Sequence, residues 1–577
     1  MINTARQQFG KPAAWGQPPS RDQATVASSQ HRRRAVMENY SDRRDFLKLT
    51  AAGAATLTLG ALPVPAGAEE KRTLTVAWDT DIDTLDPASF KSIGGYTIQA
   101  NIYDSPLMWR VEPVVGKPGL SQSKPGEMEG GIAESYAFEK DDATLVLSIR
   151  KGVKFPSGKP VNATAVKYLF DRGLQSPGYM RILFPRLLRV TKPEQFEVRD
   201  EFTLAINMPA PSPMTLDTMA LINNALLDPD EVKANATPED PWATAWLKRN
   251  TAGLGPYKLV KNEPGVEIVI DAQSGHWRPA PFFERVVFKF VPNEADRVLL
   301  LKRKAVDIVV GRPGLSPRNV KSLENEAGLK IVTVPDTTCH WLCMNSQKEP
   351  FNNVKVRQAI NYAIPIQAII PSVLYGYGSE MKSPVPSLTP GYDASLSPYK
   401  YNIEKAKALM SEAGFGKTPI NVDLAVRVGW QPHEQAAVWI QTELEKIGFK
   451  VNITKETDAT FRQVASKGGH QLSIESWQSW INDPLYHLFF NFHSAAKGTN
   501  TAFYSNPAVD KLIDENMHET DKTKRMAAVK SLQELLIGDA VWGLLWYDNW
   551  TRVMRTDLVG IEKRWDTFER YFNMKLA

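Results

Sequence analysis

The chain has 577 residues, 43% of them hydrophobic and 23% charged, with 36 Gly, 40 Pro and two Cys. Its formal charge of +5 resides in residues 1–68, which hold nine Lys/Arg and four Asp/Glu, so residues 69–577 carry 60 charges of each sign. That balance removes the electrostatic case for nucleic acid or an anionic membrane surface as a partner, and a chain of this length exceeds what one core can hold.

Ser41-Asp42-Arg43-Arg44-Asp45-Phe46-Leu47-Lys48 leads into an apolar, Ala/Thr/Gly-rich run to Leu62 and then Ala66-Gly67-Ala68. Adjacent arginines, a short and weakly hydrophobic core and a small-x-small end resemble a twin-arginine export signal. The resemblance implies that Arg43 and Arg44 are read by the export machinery and that Ala66 and Ala68 precede cleavage. The run is shorter than the ~20 residues a spanning helix needs. Export to the periplasm is therefore expected, with 1–68 as leader and signal. Met37 competes with Met1 as the true start, and residues 1–36 read as a polar, disordered leader. No Cys follows the signal core, so a free periplasmic form is expected over a lipid-tethered one.

Leu74-Thr75-Val76-Ala77-Trp78 reads as a strand running into Asp79-Thr80-Asp81-Ile82-Asp83-Thr84-Leu85-Asp86-Pro87. These alternating acids imitate a calcium loop, but Thr84 and Phe90 stand where that loop needs Gly and Glu. Residues 111–130, rich in Pro, Gly and Ser, read as a loop. A strand follows at 144–149, and Asn162 caps a helix with Ala165, Val166, Leu169 and Phe170 on one face. Beyond Gly253 come strands near 266–270 and 286–291, a helix near 294–304 and a strand at 306–310.

A strand over 331–345 leads into a helix from Asn353. That strand holds Cys339 and Cys343, about 13 Å apart at strand spacing, which exceeds disulfide reach and leaves them as buried structural thiols. From 402 helix and strand alternate: helix to Gly414, strand 420–428, helix from about 433 to Gly448, strand 449–455, helix 458–466, strand 471–476. Helices at 507–518 and 522–537 precede a Trp-rich end. This rhythm predicts helices packed on a largely parallel sheet.

Signatures of catalysis fail one by one. No Gly-x-Ser-x-Gly elbow is present. His433-Glu434-Gln435-Ala436-Ala437 opens like a zinc-protease helix without its second His. Gly416-Lys417-Thr418 ends like a phosphate loop, but Ser411 replaces the leading Gly and a helix precedes it. The eight His form no metal-ligand spacing. Aromatic rings instead gather where strands end: Trp78, Trp430, Trp477, Trp480, Trp546 and Trp550. Trp477 and Trp480 lie in a polar segment running to Asp483-Pro484, as rings beside a ligand cleft would.

Gly253-Leu254-Gly255-Pro256-Tyr257-Lys258-Leu259 with His276-Trp277, Met344-Asn345 with Pro350-Phe351-Asn352-Asn353, Val356-Arg357-Gln358-Ala359-Ile360-Asn361-Tyr362-Ala363-Ile364, and Asn506-Pro507-Ala508-Val509-Asp510-Lys511-Leu512-Ile513 occur in this order. Together they resemble the extracellular solute-binding proteins of family 5, the dipeptide-, oligopeptide- and nickel-binding components of ABC importers. The departures are Asn352–Asn353 around a usual acid and Pro365 in place of a final Asp.

The resemblance implies a non-enzymatic α/β protein with the two-lobed periplasmic-binding-protein fold of cluster C type, a third domain being inserted in lobe I. The implied division is 1–68 leader and signal, 69–110 lobe I, 111–248 inserted domain and connection, 249–335 lobe I again, 336–545 lobe II and 546–577 a return to lobe I. Arg357 is expected to be structural. In the family's dipeptide binders an Asp shortly before Asp-Pro takes the peptide ammonium, and Trp480 occupies that position here. An Arg that holds the ligand carboxylate matches Arg427.

The expected ligand set is Trp480, Arg427, Trp477, Trp430, Trp78 and Asp79, with no cofactor and no metal. The expected partners are a peptide, modified peptide or sugar conjugate, together with permease and ATPase subunits, for a monomeric carrier. The alternative is an exported metal, haem or cofactor carrier.

Overall fold

The computed structural model describes residues 71–89, 93–312, 314–415 and 418–577. The expected signal (Arg43, Arg44, Ala66, Ala68), the Phe90 position and the Gly416-Lys417 turn lie outside these residues.

An eleven-stranded sheet runs through the protein. Ten of its strands are β1 (Thr73–Trp78), β2 (Tyr257–Glu263), β3 (Glu267–Ala272), β4 (Arg285–Phe290), β5 (Ile308–Val309), β6 (Leu329–Met344), β7 (Ile420–Arg427), β8 (Phe449–Glu456), β9 (Leu472–Trp477) and β10 (Trp542–Arg555). Their order is β8-β7-β9-β6-β10-β5-β1-β4-β3-β2, with Gly378–Glu380 pairing against β10. One lobe is built on β1–β5 and the other on β7–β9. The second follows the expected rhythm, since β7 runs parallel to both β8 and β9.

The long strands β6 and β10 are antiparallel partners that traverse both lobes. At about 3.3 Å per residue the 16 residues of β6 reach roughly 50 Å. Their pairing is regular from Leu329↔Arg555 to Pro335↔Asn549 and resumes at Cys339↔Tyr547. Four steps along β6 thus oppose two along β10, and the surplus Asp336-Thr337-Thr338 bulges out of the ladder. Bulges bend a strand and redirect its side chains. This one falls where the chain passes between lobes.

The larger apolar interior takes in both lobes, reaching Trp480, Leu485 and Trp542, and a smaller one lies within the second lobe. Leu74, Val76, Ile270 and Phe288 are fully buried in the first, and Leu342, Ile360, Leu424 and Ile440 in the second. Helix starts follow local chemistry: the side chains of Asn162, Asn353, Asn402 and Asn506 each accept a hydrogen bond from the first turn they precede. Gly253 and Gly255 are required by packing. A Cβ at Gly253 would lie 1.8 Å from the Tyr103 ring, and one at Gly255 would lie 2.3 Å from the Ile102 carbonyl carbon.

Residues 111–130 depart from the loop reading. Leu107–Pro113 and Leu120–Gly130 form an antiparallel pair, and Ile561–Lys563 joins alongside in parallel. The third strand comes from the far end of the chain, so local composition gives no sign of it. A separate four-stranded sheet orders Ala133–Glu139, Thr144–Ile149, Thr203–Asn207 and Phe196–Asp200. Among the described residues no helix is long and apolar enough to cross a membrane.

Candidate functional site

A cleft of about 960 Å³, its open mouth included, lies where the two lobes meet the β6–β10 crossover. Most of that volume is open mouth, and the enclosed part is about 120 Å³. The first lobe contributes Trp78, at the end of β1, and Arg312, in the loop after β5. The second contributes Trp430, which precedes the helix Gln431–Glu445, and Gln478, which follows β9. The crossover contributes Asp336 and Thr338 from the bulge, with Asp548 and Trp550 from β10 facing the same space.

The polar groups here are organised in pairs. Asp336 meets Lys563 at 3.0 Å and accepts the Thr338 hydroxyl at 2.7 Å. Burial alone would raise its pKa, but the Lys563 charge and these hydrogen bonds outweigh that and hold it below the usual carboxylate range. Arg552 pairs with Glu569. Asp548 accepts the Trp546 indole N–H at 3.1 Å and lies 2.8 Å from His340 Nε2, and His340 Nδ1 lies 2.8 Å from His433 Nε2. The pair forms because strand β6 meets the first turn of the Gln431–Glu445 helix, joining residues 93 apart that no sequence spacing connects. Burial holds His433 neutral, with its pKa well below the ordinary value, and the neighbouring His340 adds to the effect. Among the described residues no group of three or more His, Cys, Asp or Glu is placed to hold a metal ion.

The residues expected at the site divide into two groups. Trp78 and Trp430 line the cleft. Asp79 sits just behind Trp78, 8% exposed and packed against Gly311, and burial raises its pKa despite the nearby Arg297 charge. Arg427 is buried on the second lobe, where Nη2 donates to Glu475 at 2.8 Å and Nε lies 3.2 Å from Asp458. Its guanidinium also covers the Phe461 ring at 3.9 Å.

Trp477 and Trp480 do not face the cleft. Trp477 stacks on Phe490, with ring centres 5.9 Å apart. Trp480 is packed among Tyr96, Tyr179 and Phe568, with ring centres 5.1, 5.2 and 5.7 Å away. It fills the seam between lobes with aromatic surface. Asp483 has a structural explanation: it caps the Pro484–Phe492 helix and pairs through both oxygens with Arg525 at 2.7 Å.

Other motif residues also support the fold. Arg357 donates to the carbonyls of Phe351 and Asp539 at 2.6–2.9 Å. Cys339 and Cys343 are buried free thiols, and burial pushes Cys343 up to about 12. Sequence reasoning missed Arg312, Asp336 and Asp548 at the cleft. Arg312 sits in an ordinary Gly-Arg-Pro-Gly loop, and the two acids resemble any strand acid.

A two-lobed frame with a cleft where the lobes meet suits a binding protein, and the comparisons agree. Residues 127–499 match the family model for bacterial extracellular solute-binding proteins, family 5, middle region. The chain belongs to that family, a family of binding proteins.

A probable D,D-dipeptide-binding periplasmic protein of Escherichia coli K12 is 28% identical over 501 residues, covering 86% of this chain and 93% of its own. Heme-binding protein A of Haemophilus influenzae is 25% identical, with 85% and 91% covered. Among solved structures, an ABC transporter-associated periplasmic binding protein of Helicobacter pylori, in complex with the peptide STSA, superposes with a TM-score of 0.75 at 24% identity, covering 87% of this chain and 98% of that one.

Proposed function

We propose that this protein is the periplasmic solute-capturing component of an ABC importer for a peptide-like or related small organic solute. In this reading the lobes close over the solute by bending at the β6–β10 crossover, and the closed form docks on permease and ATPase subunits as a monomer. The observation that carries it is the cleft itself, whose wall combines Trp78 of one lobe, Trp430 of the other and Asp336, Asp548 and Trp550 of the strands joining them.

The proposed division of the chain takes residues 336 and 546 as the lobe boundaries, the first opening the bulge and the second paired with His340 just past it. The twin-arginine segment would deliver the folded protein to the periplasm.

The solute is proposed to lack a free ammonium end at the position where dipeptide binders of this family hold it. Trp480 stands at that sequence position and, packed among aromatic rings outside the cleft, supplies no counter-charge for a cation. A modified peptide or a sugar conjugate meets that condition. Trp78 and Trp430 would cover its apolar or ring faces, while Arg427 and Asp79 stiffen the walls behind them. A second reading, a metal or haem carrier, draws on the His340–His433 pair and on the name of one relative.

The test is mass spectrometry of the protein taken from its own periplasm, native and then denatured. One small organic solute released per chain supports the importer reading. A porphyrin or a metal supports the second. An unmodified dipeptide with a free amine overturns the role given to Trp480.

A further inference from the structure

Arg312 is the cleft residue whose chemistry is left incomplete. Its Nη1 donates across the lobes to the Gln478 side-chain oxygen at 3.2 Å. Its Nη2 is shut off from solvent and has no hydrogen-bond partner. No carboxylate lies within ion-pair distance of it among the described residues, although the charges of Asp548 and Asp336 act on it from farther away. A guanidinium removed from water with an empty side to its fork is a receptor for an oxyanion, because the fork matches a carboxylate's two oxygens.

The carboxylates around the cleft cannot supply that partner, since each is already engaged. Asp336 is held by Lys563 and Thr338, Asp548 by His340 and Trp546, and Glu569 by Arg552. Arg427 also has Nε and Nη1 without hydrogen-bond partners, but it lies outside the cleft lining and is paired in charge with Glu475 and Asp458. A second unmet group on the cleft wall has the same polarity: the Trp550 indole N–H is buried without a partner and can only donate. Asp336 Oδ1 and His433 Nδ1 also lack hydrogen-bond partners on this wall, but the first faces the Lys563 charge at 3.0 Å, so the unpaired charge in this cleft is that of Arg312.

We infer that the solute carries a carboxylate and that Arg312, rather than Arg427, receives it, with the Trp550 indole N–H as a further donor to the solute's oxygens. This rests on the reading of the cleft as a solute site and adds the charge of the solute and the residue that selects it. Because Arg312 comes from the first lobe and already touches Gln478 of the second, a carboxylate on its fork sits at a lobe-to-lobe contact. Anion capture and closure would then share one side chain.

The experiment compares N-acetylated dipeptides as free acids and as C-terminal carboxamides, by isothermal titration on the wild-type chain, Arg312→Gln and Arg312→Lys. The expected result is a preference of at least about 30-fold for the acids in the wild type. Arg312→Gln should lose that preference while keeping the weaker amide affinity. Arg312→Lys, which keeps the charge without the fork, should retain part of it, and its thermal melt controls for folding. Acids and amides binding alike to the wild type, or an undiminished preference in Arg312→Gln, would overturn the inference and leave the solute-binding reading standing. If neither set binds up to millimolar concentration, the peptide-like reading falls and the inference with it.

Discussion

The indole of Trp480, from the second lobe, stands edge-on to the ring of Tyr96 in the first, with centres 5.1 Å apart and planes at 73°. Edge-to-face aromatic pairs add to the burial energy of each ring. Tyr179 and Phe568 complete the enclosure, so four distant stretches of chain meet at one indole. The lobes are thus held by an aromatic seam beside the cleft as well as by the strands that cross it.

Trp480→Ala should cost about 3–5 kcal/mol, the range for removing a large buried ring, and Trp480→Phe distinctly less. Urea denaturation followed by circular dichroism reads both. A loss under about 1 kcal/mol for the alanine variant would mean that the seam adjusts freely.

Removing the half-buried Trp430 ring should act on binding more than on folding, whereas Trp78, buried in the core, carries a folding cost as well. Trp430→Ala and Trp78→Ala are each expected to weaken the dissociation constant of the recovered solute by 10- to 100-fold, about 1.4–2.7 kcal/mol. Calorimetric titration against that solute gives the answer, and unchanged affinity in both variants would place the solute elsewhere.

Asp86→Asn should be among the most destabilising single changes. Asp86 and Arg172 are fully buried, and both carboxylate oxygens accept from the guanidinium at 2.9 Å. Breaking such a pair from one side leaves an uncompensated buried charge, worth about 3–5 kcal/mol. The shift in urea midpoint measures it.

Stability should fall as the pH drops from 6.5 towards 4. His487 is buried between the Ser479 hydroxyl and the Pro384 carbonyl, and burial depresses its pKa to about 3. His433 is depressed in the same direction. Below about 6.5 the unfolded chain takes up protons at both imidazoles while the folded chain does not, so each contributes a loss of about 1.4 kcal/mol per pH unit. Asp217 acts oppositely: burial raises it to about 6, so the folded state takes its proton first. Asp79, also raised by burial, acts with Asp217, while His518, depressed by burial to about 4, acts with the other two imidazoles, so three groups against two leave a net loss. Thermal melts across this range test the slope, and His487→Gln should make it shallower.

The sequence was informative where structure follows from neighbours in the chain. The Asn caps and the helix–strand rhythm after 402 act within a few residues, and each appears in the fold with its physical cause, whereas the glycines at 253 and 255 answer to Tyr103 and Ile102 far away in the chain. The site was legible only in part. Trp78 and Trp430 could be found because they end a strand or begin a helix at a sheet edge. His340 needed His433 beside it, and Arg312 needed Gln478 across the cleft. Trp480 was conspicuous in sequence, yet its neighbours come from segments that no local pattern connects to it. The strands at 107–130 were hidden for the same reason, since their third partner begins at Ile561.

The two-residue surplus at Asp336-Thr338 makes recognition and mechanics inseparable. Asp336 and Thr338, which line the cleft, also interrupt the β6–β10 ladder, so under the proposed function changing them to alter selectivity would retune the stiffness of the bend as well. A solute that fills the outer cleft without reaching this interruption could be held while the lobes stay apart. Such a molecule would occupy the protein without being passed on, and would behave as a blocker of uptake rather than as cargo.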